Sequence, residues 1–118
     1  MTRSIYVAAP EAQTGKSVVA LGLLDTLLRG VESVGVFRPL VPAGRRDDIL
    51  EMLLSQPGIS LDYDEAVGIT YDEMRADPEG GLQTIVDKFG RISPRFDAIV
   101  VLGSDYADVT SPTELAYN

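Results

Sequence analysis

The sequence predicts an α/β fold, with a mostly parallel sheet between two layers of helices, and three observations carry that prediction. Short β-like apolar runs alternate along the chain with longer runs of helical period, the pattern of repeated strand-helix-strand units. The first such run, residues 4–9, leads through a short turn into Gly15-Lys16-Ser17 and the apolar stretch Val18-Val19-Ala20-Leu21-Gly22-Leu23-Leu24. The run Ala98-Ile99-Val100-Val101-Leu102 is wholly apolar, as a strand covered on both faces should be.

Taken in order, the first strand is expected over residues 4–9 and its helix over residues 15–29, where Leu21, Leu24, Leu27 and Leu28 recur at helical spacing and Gly30 can end the last turn. A second strand is expected over residues 33–37 and is stopped by Pro39, with residues 40–44 as a loop. Asp47 and Asp48 can cap a helix whose apolar residues are Ile49, Leu50, Leu53 and Leu54, and Gln56-Pro57-Gly58 closes it. Residues 59–76 carry a weaker signal: an apolar patch at residues 66–69 and a brief helix near residues 71–75. Asp77-Pro78-Glu79 starts a helix with proline at its first position, and Leu82, Ile85, Val86 and Phe89 predict its buried face. After a break at Ser93-Pro94 comes the apolar strand of residues 98–102, expected beside the first strand and ending in Gly103-Ser104-Asp105. Ser111-Pro112-Thr113-Glu114 is a capping-box pattern, so a further helix is expected to begin there. Only a short helix fits before Asn118 and no strand follows it, so the chain reads as a single domain, residues 1–118, whose sheet is incomplete at its C-terminal side and which belongs to a longer polypeptide.

Composition narrows the function. With 18 acidic against 10 basic residues and no cationic cluster beyond Arg45-Arg46, most of the surface repels a phosphodiester backbone, so no nucleic-acid partner is expected. No apolar run approaches the roughly 20 residues that span a bilayer, so no membrane partner is expected and the cytosol is the expected location. Zero cysteine and zero histidine remove disulfides, thiolate or imidazole catalysis and the usual zinc ligands. A metal must then sit on oxygen, which points to magnesium.

The chemistry concentrates at Gly15-Lys16-Ser17. A strand, a glycine turn and a helix start aim backbone N–H groups and the positive end of a helix dipole at one point, and Lys16 adds a full charge there. That point selects an anion, foremost a nucleotide phosphate. The pattern is half intact, because Pro10 stands where a phosphate loop has its first glycine. The alternative is a turn whose lysine is solvated or bonds its own loop.

Three segments resemble a known family: Ala9-Pro10-Glu11-Ala12-Gln13-Thr14-Gly15-Lys16-Ser17, Val34-Gly35-Val36-Phe37-Arg38-Pro39-Leu40, and Val100-Val101-Leu102-Gly103-Ser104-Asp105 with Ser111-Pro112-Thr113-Glu114-Leu115-Ala116-Tyr117-Asn118. Together they resemble the P-loop NTPase-like domain shared by dethiobiotin synthetases and the N-terminal part of long phosphate acetyltransferases, the last two segments being most similar to actinobacterial examples of the latter. The resemblance implies a three-layer sandwich. It implies a phosphate cradle at Gln13, Thr14 and Gly15, with Lys16 as the phosphate lysine and Ser17 as the hydroxyl that holds magnesium. It further implies an effector- or substrate-binding role for Arg38, where the synthetases carry lysine, and a magnesium role for Asp48, or Asp47 with the alignment shifted by one. Asp105 is a further magnesium candidate, since Leu102 stands where the synthetases place a glutamate at the end of the third buried strand. Arg38 can instead pair with Asp47, Asp48 or Asp105, and Asp105 can cap its own turn. Tyr63, Tyr71 and Tyr106 suit half-buried rim positions.

Two functional readings follow. In one, the chain is a non-catalytic regulatory or assembly domain of a phosphate acetyltransferase, which exchanges an acetyl group between coenzyme A and phosphate. It binds a small anion or nucleotide, has the C-terminal catalytic domain of the same polypeptide as partner, and forms homo-oligomers as the full-length protein. In the other, it is an ATP- and magnesium-dependent enzyme of the dethiobiotin synthetase kind, with Lys16, Ser17 and Asp48 on the nucleotide and Arg38 near a carboxylated substrate. A partitioning-type ATPase is disfavoured, because such proteins carry a second lysine early in the loop where this chain has Glu11 and Gln13.

Overall fold

The computed structural model describes the backbone of residues 3–7 and 13–103 and the side chains of residues 21–103. The elements run β1 (Arg3–Val7), α1 (Gln13–Gly30), β2 (Val34–Val41), α2 (Asp48–Leu54), α3 (Tyr63–Ala66), β3 (Val67–Thr70), α4 (Tyr71–Ala76), α5 (Pro78–Ile92), a 3-10 turn (Ser93–Arg95) and β4 (Ala98–Leu102). The four strands are parallel and lie in the order β1-β4-β2-β3, an open sheet of the expected P-loop-like α/β kind. The strand of residues 98–102 does lie beside the first. It pairs with β1 from Arg3 opposite Ala98 to Val7 opposite Leu102, and with β2 from Val34 opposite Ala98 to Phe37 opposite Val101.

A strand between two neighbours has no free edge, and its alternate side chains must find cover on both faces. On one face, Val100 and Leu102 join Val34 and Val36 of β2 and meet Leu24 of α1, Leu50 and Leu53 of α2 and Ala66 of α3. On the other, Ile99 joins Phe37 of β2 and Ile69 of β3 beneath Met74 of α4, Ile85 and Ile92 of α5, and Phe96. The assignment of helices to faces follows from handedness. The crossovers β1-to-β2 and β2-to-β3 move one way across the sheet and share a face. The return from β3 to β4 moves the other way, so its helices must take the opposite face to keep each crossover right-handed.

Pro39 does not stop β2, which continues to Val41. The strand changes neighbour there: its register with β4 ends at Phe37, whereas Arg38, Leu40 and Val41 pair with Val67, Ile69 and Thr70 of β3. Pro39 therefore sits where no β4 partner awaits its missing amide hydrogen. Close approach on the other side demands a glycine. A Cβ at Gly68 would lie 2.2 Å from the Pro39 carbonyl oxygen, and backbone cannot yield as a flexible side chain can. Gly68→Ala is expected to lower stability by about 2 kcal/mol or more through overpacking, read as a drop in urea midpoint with unchanged slope. An unchanged midpoint would show that β2 and β3 separate at no cost.

The weakly marked segment resolves into three short elements. Thr70 caps α4 by accepting the Glu73 amide at 3.1 Å while the Glu73 carboxylate accepts the Thr70 amide at 3.0 Å. Asp77 caps α5, its carboxylate accepting from the Gly80 amide at 3.1 Å, with Pro78 first in the helix as expected. The buried face of α5 differs from the expected one. Ile85 is buried and Phe89 packs edge-on against Phe37 with ring centres 5.4 Å apart, but Leu82 is 39% and Val86 56% exposed. The helix has rolled so that Gly81, Ile85 and Ile92 face the sheet, with Gly81 lying against Ile69 and Met74.

Candidate functional site

At the carboxyl end of β1 the chain crosses to α1, whose first residues are Gln13, Thr14, Gly15, Lys16 and Ser17. The helix begins two residues ahead of the expected start, which puts Gly15-Lys16-Ser17 inside its opening turns. The first four amides of any α-helix lack an acceptor within the helix, and α1 has no acidic residue in its first turn to neutralise the positive end of its dipole. The side chains of Gln13 to Ser17 lie outside the described residues, as does Asp105.

The best defined polar arrangement is next to β2. The Arg38 guanidinium is 1% exposed and pairs through Nη1 with the Asp47 carboxylate, itself buried. The local chain explains why Asp47 and not Asp48 is the partner. Asp47 is the N-cap of α2 with extended backbone (φ −81°, ψ 118°), and its second carboxylate oxygen accepts the Leu50 amide at 2.8 Å. Asp48 is already helical and projects into solvent. The Asp47 amide in turn donates to the Tyr63 hydroxyl at 2.6 Å, and the Arg46 guanidinium lies 4.1 Å above the Tyr63 ring. Arg46 also binds Glu51 across the first turn of α2 at 2.5 Å, and this contact raises its pKa above the ordinary arginine value. The start of α2 is thus tied to β2, to α3 and to itself. Nothing in the sequence pairs Tyr63 with residue 47, because the contact joins segments brought together only by packing.

Of the sequence candidates for magnesium, Asp48 is exposed at the start of α2, and Asp47 is engaged by Arg38 and by its capping bond. Leu102, at the end of β4, is 0% exposed and packs with Leu24, Leu50 and Val100. Among the described residues no group of three or more carboxylates is placed to hold a metal ion. Asp47 is thus committed to Arg38 and to the cap of α2 and does not join Asp48 in a shared metal site. Among the described residues, no helix is long and apolar enough to cross a membrane.

The sequence matches the AAA domain family (AAA_26) over residues 3–117. It is 29% identical over 126 aligned positions to a phosphate acetyltransferase of Synechocystis sp., an alignment covering 100% of this chain and 18% of that protein. It is 26% identical over 126 positions to a phosphate acetyltransferase of Nitratidesulfovibrio vulgaris, with the same 100% and 18% coverage. The chain thus spans less than a fifth of the length of these curated relatives.

Proposed function

Because the chain belongs to the AAA domain family, we propose that it is a P-loop-derived module of a phosphate acetyltransferase, binding a small anion or nucleotide at the start of α1 and performing no chemistry itself. The observation that carries this reading is Leu102. An apolar side chain sealed in the core stands at the carboxyl end of the central strand, where a phosphoryl-transfer site of this architecture needs a carboxylate to position its metal and stabilise developing charge. The acyl exchange between coenzyme A and phosphate would belong to other parts of the polypeptide. The module would act from the cytoplasm on the catalytic domain of its own chain, or in assembling copies into an oligomer.

In this reading Gln13, Thr14, Gly15, Lys16 and Ser17 cradle the anion. Arg38 acts through Asp47 to fix the start of α2, and Asp48 stays exposed at that start. The reading in which Mg·ATP is used as substrate draws support from the placement of Gly15-Lys16-Ser17 in the opening turns of α1. Calorimetric titration with Mg·ATP, ADP and phosphate separates the two. Binding should be saturable for at least one of them and should fall about tenfold or more in Lys16→Ala, the cost of a lost charge-assisted hydrogen bond. Equal affinity in the variant for every anion would refute the site. ATP turnover by this chain would replace the non-catalytic reading with the enzymatic one.

A further inference from the structure

A second place in the molecule gathers positive charge. α1 packs on one face of the sheet and α5 on the other. Between α3, the last turns of α5 and the 3-10 turn is a groove of about 360 Å³ lined by Asp64, Glu65, Lys88, Arg91, Ile92 and Arg95. In a chain of net charge −8 with 10 basic residues, three of the ten converge on this one groove. Their positions recur at three and four residues, which sets them on one side of the α5 end.

The three cations are held differently. Arg95 binds Glu65 at 2.6 Å, and that bond, helped by the Asp62 amide, keeps the Glu65 carboxyl below the usual carboxylate range and so ionised. Lys88 donates to the Gly68 carbonyl at 3.1 Å, which anchors the ammonium against β3 while leaving its charge without a carboxylate. Arg91 is exposed and has no ion-pair partner among the described residues. Glu65 is thus spent on Arg95, and Asp64, exposed on the same rim, forms no ion pair with Lys88 or Arg91, so among the described residues the groove carries three cations against two carboxylates beside the apolar wall of Ile92, 3% exposed.

We propose that this groove binds a small molecule carrying two or more negative charges, with Lys88 and Arg91 as its direct ligands and Arg95 held ready at its edge by Glu65. The volume suits a metabolite, not a macromolecular surface. A planar guanidinium beside a point-charge ammonium suits phosphate or carboxylate groups on one compact body. The site is separate from the anion position proposed at the start of α1, and its occupancy does not depend on Lys16.

The test is calorimetric titration of the chain with pyrophosphate and with citrate, repeated for Arg91→Gln, Lys88→Gln, Arg75→Gln and Lys16→Ala, with amide NMR shifts recorded at saturation. Arg91 is solvent-exposed, so its variant keeps the fold even if the Lys88 variant loosens β3. The expected result, read in the Lys16→Ala background so that the position proposed at the start of α1 is removed, is saturable binding of at least one probe, shifts centred on residues 64–65 and 88–95, and a loss of about tenfold or more when Arg91→Gln is added. Affinity should be retained when Arg75→Gln is added. No saturable binding of either probe in Lys16→Ala, or undiminished affinity on adding Arg91→Gln, would each overturn the proposal.

Discussion

Leu102→Glu is expected to cost about 4 kcal/mol or more, a large share of the stability of a domain this size. The side chain is buried against Leu24, Leu50 and Val100, and Arg38, the β2 residue that follows the Phe37–Val101 pair on the same face, is already paired with Asp47. A carboxylate there must shed its hydration, compete with Asp47 for that one guanidinium or bind a proton, and each route disfavours the folded chain. The measurement is urea unfolding followed by circular dichroism, with Leu102→Met as a volume-conserving control expected to cost less than about 1.5 kcal/mol. The substitution also bears on function, since it restores the group that an ATP-using site would require. A folded variant that gains magnesium-dependent nucleotide binding would show that the strand end opens to the ligand and that the non-catalytic reading is wrong.

The second large effect is expected at Asp47. Asp47→Asn keeps an oxygen that can accept the Leu50 amide, so the cap of α2 survives in part. It removes the negative charge beside a guanidinium that is 1% exposed, and breaking a buried ion pair from one side costs about 3–5 kcal/mol. Asp48→Asn, one residue along and exposed, should stay within about 0.5 kcal/mol of the parent chain. Replacing both members by apolar residues, as in Arg38→Met with Asp47→Leu, should recover much of the loss, because neither charge then needs compensation. Thermal or urea unfolding of the four chains decides the matter. Equal losses at Asp47 and Asp48 would mean that the effect comes from helix-start charge and not from the buried pair.

Local sequence was sufficient wherever the determining interactions lie within a few residues. The strand-helix-strand order, the start of α5 at Asp77-Pro78 and the burial of residues 98–102 on both faces follow from periodicity, capping chemistry and an unbroken apolar run. The same holds for a helix opening at Gly15-Lys16-Ser17. Tertiary structure decided what depends on neighbours distant in the chain. Pro39 reads as a strand breaker in isolation, yet β2 runs through it because its ladder passes from β4 to β3 at that residue and Gly68 gives way. Leu82 and Val86 fit the apolar stripe of α5, yet Gly81 lets the helix settle on Ile69 and Met74 along a different line and leaves both exposed. Asp47 and Asp48 are equivalent as letters. Only the turn into α2 buries one against Arg38 and Tyr63 and leaves the other in water. The physical reason is common to all three: periodicity records which side of an element is apolar, but the exact contact line is set by the shape and charge of whatever packs against it.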